Sequence, residues 1–368
     1  LWQKLRCKLG SKESRLVKRF IKGIDAYMNQ PKASIFYIDV LRCIAAIAVI
    51  AIHVLGPLRE LYGEIATTEW LAAMGINSST RWAVPVFMMI SGALLISTQK
   101  PFVCGEYLSK RLSKVLIPFI GWTVIYALVT GFTLEGWDAA VALEVIKNSP
   151  NDPAWYHLWF FYDFIPLYFV IPLLQPMVRA MEPERFRILL VAWGVLTLMH
   201  LLKVETFLRE NLILYTGYLL LGWYLFNRDN RPQLKLWVFA GCSALLINFF
   251  GSWLAAYYKG EYSSLFMGYK SLNTVLIGAM LFVLAQAYAE GIQGRLRSLV
   301  KEISKYSLGI YLIHPLLIIP VREMSNGVYD WLPSLWLSIP AITLVTLFIS
   351  LVVVMVIAKI PVIRKLVP

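Results

Sequence analysis

Charge is what this chain has least of. Asp, Glu, Lys and Arg make up only 15% of its 368 residues, where a soluble globular protein carries about a quarter. With 58% apolar residues and a mean hydropathy of +0.63, that shortage excludes a water-soluble domain and makes the chain a polytopic membrane protein. Cysteine is scarce as well. Cys7 and Cys104 fall in segments read below as cytoplasmic and Cys43 and Cys242 within spans, so no disulfide is expected. No cleavable leader is visible, because the basic tail runs directly into a full-length span. No repeat relates the two halves, no serine or cysteine is placed as a nucleophile, and no metal is expected.

What charge there is has a direction. Ten apolar segments, at roughly 36–56, 80–98, 115–133, 157–178, 187–202, 211–227, 236–255, 272–290, 305–321 and 335–358, predict an all-α protein of about ten transmembrane helices. The net charge of +13 suggests nucleic acid at first sight, but its distribution rejects that reading. On one side the tail, the even-numbered loops and the C-terminal end hold 26 Lys and Arg residues, against 8 in the odd-numbered loops. By the positive-inside rule both termini are then cytoplasmic. The chain divides into a basic amphipathic segment at 1–35, suited to lie on an anionic leaflet, a transmembrane domain at 36–360 and a short basic end at 361–368.

The first span, FYIDVLRCIAAIAVIAIHVLG at 36–56, carries three ionisable groups. Such groups cost roughly 3 kcal/mol each within hydrocarbon, which marks a functional site by default. Arg42 and His53 are eleven positions apart, so they return to within roughly 20° of one helix face, about 16 Å apart along the axis. Between them on that face lie the small residues Ala45, Ala46 and Val49. Asp39 stands one turn before Arg42, either as its partner or as part of the same site.

Other spans add candidates. Arg111 and Lys114 stand three apart where the third span begins, and with Arg42 entering the same leaflet they form a candidate phosphate-binding group. The fourth span opens with His157 and Trp159, buries Asp163 about two turns in, and holds Pro166, Pro172 and Pro176. Those prolines free backbone groups that a neighbour or a wet cavity must satisfy. Asp163 and His53 both belong to the outer half, where the carboxylate can fix the imidazole tautomer; the alternatives are a tyrosine partner or a water pocket. In the ninth span Tyr306, Ile310 and His314 stack at four-residue intervals, with Pro315 after them.

In sequence order, DVLRCIAAIAVIAIH, VPVFMMISGALL, KRLSKVLIP, HLWFFYDFIPLYFVIPLL and YSLGIYLIHPL resemble the signatures of the acyltransferase-three family of integral-membrane acyltransferases, over about residues 36–360. Within it the chain is most similar to bacterial O-acetyltransferases that decorate surface glycans, of the enterobacterial common antigen type. The resemblance implies a protein of the bacterial inner membrane that takes acetyl groups from cytoplasmic acetyl-CoA and passes them to a glycan or glycolipid hydroxyl outside. It matches Arg42 and His53 to the family's essential pair, and Arg111 and Lys114 to a basic pair usually reading Arg-x-x-Arg. The Lys keeps the charge and loses bidentate geometry.

In that scheme Arg42, Arg111 and Lys114 hold the donor's phosphates, and His53 is a general base or an acyl-histidine nucleophile, with Asp163 behind it. His157, Trp159, Tyr311 and His314 are the candidate acceptor-binding residues. Acetyl-CoA, the acceptor and membrane lipids are the expected partners, a homo-oligomer is left open, and nucleic acid is not expected. Two other classes fit part of the pattern: a secondary transporter or flippase, from intramembrane charge and broken helices, and an assembly subunit whose charged stripe is a helix contact.

Overall fold

In the computed structural model the described residues are 35–368, apart from Leu134, Phe207, Arg209, Asn326 and Asp330. The basic segment expected at 1–35, with Cys7, lies outside them but for Ile35. The described chain is almost entirely helical. The helices are α1 (Phe36–Val54), α2 (Thr67–Thr80), α3 (Ala83–Ile96), α4 (Cys104–Thr130), α5 (Ala139–Asn148), α6 (Trp159–Ala180) and α7 (Pro183–Leu201). They continue with α8 (Asn211–Phe226), α9 (Leu234–Lys259), α10 (Leu272–Tyr288), α11 (Gly294–Lys305), α12 (Ser307–Met324) and α13 (Leu335–Ile357). A two-residue ribbon pairs Phe132–Thr133 with Gly136–Trp137.

Eight of the helical stretches are long and apolar enough to cross a membrane. One of them joins α2 and α3 as Thr67–Ile96; the apolar α8 is shorter. Each of the ten segments read from the sequence falls on a helix. The stretch read as a first outer loop, 57–80, is a difference. It contains α2, which buries Trp70, Ala72, Ala73, Met74 and Asn77. Polar residues dilute the apolar pattern of that helix, so burial shows only once its neighbours are in place. The segment between the third and fourth apolar stretches contains α5, started by Asp138, whose carboxylate accepts from Ala140 N at 2.7 Å.

α1 is the axis of the bundle. It packs against α2, α3, α10, α11, α12 and α13, which is why most of its residues are buried and why its few polar groups must find partners inside the protein. At its first turn Ser304 Oγ donates to Asp39 Oδ1 at 2.7 Å, tying α1 to the end of α11. At its last turn Tyr329 donates to Val54 O at 2.9 Å and the Arg322 guanidinium donates to His53 O, so two carbonyls at the helix end are satisfied, one of them by a cation.

The prolines of α6 are compensated in the way expected. Pro172 has no N–H for Tyr168 O, and the Tyr107 hydroxyl of α4 donates to that carbonyl at 2.9 Å. The closest helix pair is α3 with α8. A Cβ on Gly92 would lie 2.0 Å from Leu219 O, and one on Gly222 would lie 2.0 Å from Met89 O. Glycine is therefore required at both positions for the backbones to meet. Gly222→Val is expected to cost about 3 kcal/mol or more of stability by overpacking, read as loss of the monodisperse peak and a lower unfolding temperature in detergent, with Gly105→Ala, which meets nothing within 4 Å, as the neutral control.

Candidate active site

Three of the histidines come together where α1, α6 and α12 meet. His53 Nδ1 and His314 Nε2 are 2.7 Å apart, with the ring planes within 11° of each other and 4.9 Å between centroids, the edge-to-edge geometry of an imidazole–imidazole hydrogen bond. His157, just before α6, lies 6.3 Å from the His53 ring and 5.8 Å from the His314 ring. The tautomers follow from one carbonyl. His314 Nδ1 lies 3.1 Å from Ile310 O, and a carbonyl only accepts, so His314 Nδ1 carries the proton. Its Nε2 is then an acceptor, and the proton between the rings belongs to His53 Nδ1. That leaves His53 Nε2 as the bare basic nitrogen. Pro315 helps, because it leaves Tyr311 O without its helical partner beside the same imidazole.

Two cavities approach this cluster from opposite ends of α1. The first, of 270 Å³, is lined by Arg42, Tyr168, Ser304 and Lys305 towards the start of α1, and by Val49, Phe160, Phe161 and Tyr311 further along. The second, of 320 Å³, is lined by His53 with Tyr156, Trp159, Tyr269 and the three arginines Arg59, Arg81 and Arg322. On α6 the consecutive residues Trp159 and Phe160 face different cavities, and on α1 so do Val49 and Ile52. Three residues along a helix are about 4.5 Å. The partition is thus thin, and the fully buried His157 and His314 belong to its neighbourhood. A long ligand entering at Arg42 and a second ligand entering at His53 can meet there.

This arrangement fits what comparison with known proteins finds. A family described as an acyltransferase domain matches residues 35–355, most of the chain. The chain belongs to the acyltransferase-three family. Comparison with curated proteins gives no match, nor does comparison with solved structures.

In this acyltransferase-family protein the expected residues divide. Arg42 lines the first cavity and His53 the second, as their shared face and spacing imply. Arg111 is outside the lining of the first cavity: its guanidinium lies 5.8 Å from the ring of Tyr107, whose hydroxyl donates to the carbonyl of the lining residue Tyr168. Lys114 is exposed and outside the lining, whereas Lys305, unremarked in the sequence because it sits among four cations of one loop, is part of it. Of the small residues between Arg42 and His53, Ala45 and Ala46 are buried in the cores between helices and only Val49 meets the cavity.

The expected pairing of Asp163 with His53 is not found. Asp163 accepts from Asn211 Nδ2 at 2.9 Å, Asn211 Oδ1 accepts from Lys270 at 2.5 Å, and His53 is paired with His314 instead. The preference has a physical cause: a half-exposed carboxylate beside an amide and an ammonium is already satisfied, while the fully buried imidazole of His314 needs a partner. Trp159 lines the His53 cavity, stacked on Tyr269 at 5.3 Å; Tyr311 lines the other and donates its hydroxyl to His157 O. His314, expected as an acceptor contact, sits behind His53. Tyr156, Tyr269, Arg59, Arg81 and Arg322 were not singled out in the sequence, since each lies at a helix end or loop where aromatic and basic residues are ordinary.

His314→Ala leaves His53 Nδ1 without its acceptor and is expected to lower acyl transfer about 100-fold or more, a general-base-sized effect. Asp163→Asn should keep transfer within about threefold, because the amide can still accept from Asn211. Initial rates in membranes at matched expression check both.

Proposed function

We propose that the chain is a membrane O-acyltransferase that moves an acetyl group from cytoplasmic acetyl-CoA to a hydroxyl of a cell-surface glycan or lipid-linked sugar. The observation that carries this reading is a pair of cavities on either side of a thin partition beside an imidazole pair, one lined by Arg42 and Lys305 and the other by His53, aromatic walls and three arginines. Acetyl-CoA is polyanionic at one end and carries its thioester at the far end of a narrow arm. Arg42 and Lys305, with Arg111 nearby, suit the phosphates, and the apolar passage past Val49, Phe160 and Tyr311 suits the arm. On this reading the Arg42 end faces the cytoplasm, both termini with it, about ten helices cross the bilayer, and the membrane is the bacterial inner membrane. The acceptor class follows the resemblance to enzymes of the enterobacterial common antigen type.

The chemistry balances without an enzyme-bound intermediate. His53 Nε2 takes the proton of the acceptor hydroxyl as the oxygen attacks the thioester carbonyl. The tetrahedral intermediate collapses with loss of the coenzyme A thiolate, which recovers the proton from the imidazolium. The products are an acetyl ester and the free thiol. His314 Nε2, accepting from His53 Nδ1, holds the ring in the required tautomer and supports the imidazolium while it lasts. Stacked aromatic walls at Trp159 and Tyr269 suit the faces of a sugar ring.

Radiolabelled transfer from acetyl-CoA in membranes tests the assignment. Label is expected in a glycolipid fraction with the intact protein, and to fall by roughly 10²–10⁴ in His53→Ala, the usual worth of a general base. Arg42→Ala is expected to lose the same label through weaker donor binding, visible as a raised KM for acetyl-CoA. Transfer unaffected by His53→Ala would remove the catalytic assignment.

A further inference from the structure

The charge on the walls of the His53 cavity exceeds what the described residues balance. Arg59, Arg81 and Arg322 all line it. Arg59 is paired with Glu60 at 2.9 Å. Neither Arg81 nor Arg322 lies within 4.0 Å of a carboxylate of the described residues. Their partners are neutral. Arg81 donates to the Tyr269 hydroxyl at 3.0 Å and the Tyr262 hydroxyl at 3.4 Å, and its guanidinium lies 5.1 Å from the Tyr269 ring centroid. Its Nε is buried with no acceptor among the described residues. Arg322 donates to His53 O and, at 3.3 Å, to the Tyr329 hydroxyl, with its guanidinium 5.8 Å from the Tyr156 ring.

Cations half-buried in a cavity without counter-charge are costly to a fold and recur where a ligand supplies the missing anion. The guanidinium, with its planar fork of donors, is the side chain suited to a phosphate or carboxylate. A neutral sugar hydroxyl would need none of this, since amides, hydroxyls and aromatic faces read it at lower cost. The arginines are also close to the chemistry: Arg322 contacts His53 itself, and the Tyr156 ring beneath its guanidinium is 5.0 Å from the His53 ring.

We infer that the acceptor is an anionic saccharide, read through its phosphate or carboxylate by Arg81 and Arg59 while the neighbouring hydroxyl meets His53. Arg322 contributes charge while also closing the end of α1. The inference deepens the acceptor side of the proposed transfer and rests on it for calling the ligand an acceptor; the anion site itself stands on the cavity and its cations.

The test is calorimetric titration of the purified full chain in neutral-lipid nanodiscs, with coenzyme A present at saturation to occupy the other cationic cavity. The probes are pyrophosphate, glucuronic acid and glucose. Saturable binding of one or both anions is expected, at least tenfold tighter than glucose; the tighter of the two says whether phosphate or uronate is the recognised group. Arg81→Gln and Arg59→Gln should each weaken the anion at least tenfold with coenzyme A binding unchanged, and Arg81→Lys, which keeps the charge, should stay within threefold.

Because Arg81 also holds two tyrosines, thermal unfolding accompanies each variant, and Arg59→Gln carries the test if Arg81→Gln does not fold. No saturable anion site, glucose binding as tight as the anions, or anion binding intact in both variants overturns the inference. If coenzyme A fails to bind while the anions do, the transfer reading falls and the anion site stands.

Discussion

Everything about the site depends on one hydrogen bond between two imidazoles inside the bundle, His53 to His314. It joins the central helix α1 to α12, and its direction is dictated from Ile310 O through His314 to His53. Each acceptor in that series allows only one proton position at the next ring, so the backbone of α12 determines which nitrogen of α1 is left bare. A carboxylate behind His53 would place a formal charge there; a second neutral imidazole fixes the tautomer without burying a net charge in a low-dielectric partition, which is the less costly solution in this setting.

α1 can present ionisable groups along its length because nearly every surface of it is covered by other helices. Asp39 meets Ser304, His53 meets His314, and the carbonyls at its end meet Tyr329 and Arg322. Arg42 keeps its charge towards a cavity instead. The result is a helix that no lipid needs to touch along its polar stripe, flanked by one cavity at each end. The match to an acyltransferase family over residues 35–355 and this two-ended arrangement support each other, for an acyl carrier and an acceptor need separate entrances and one meeting point.

Much of the fold was legible because membrane helices announce themselves in composition, and each of the ten apolar segments coincides with a helix. The Arg42–His53 face was legible too, since both lie on one regular helix where spacing converts directly into geometry. What was not legible depends on contacts between segments far apart in the chain. Asp163 and His53 share a half of the bundle, yet Asn211 and Lys270 occupy the carboxylate. Lys305 and Lys114 are equally plausible cations by sequence and both are exposed; only packing sets Lys305 at the wall of the cavity and leaves Lys114 away from it. Ala45 and Ala46 lie on the same face between Arg42 and His53, yet neighbouring helices cover them and they open on neither cavity.

The contact between α3 and α8 has a mechanical consequence. Ser91, Ile90, Phe87 and Val84 of α3 form one side of the Arg42 cavity, and the adjacent Gly92 presses backbone against backbone on α8. Main-chain atoms in such contact have no side chain that can rotate to take up slack. That side of the passage is therefore a fixed jaw, and the width offered to a ligand is gauged against it. α6 supplies Phe160, Phe161, Phe164 and Tyr168 to the same passage, and its three prolines have removed rungs from the helix ladder, so that wall is the more compliant one.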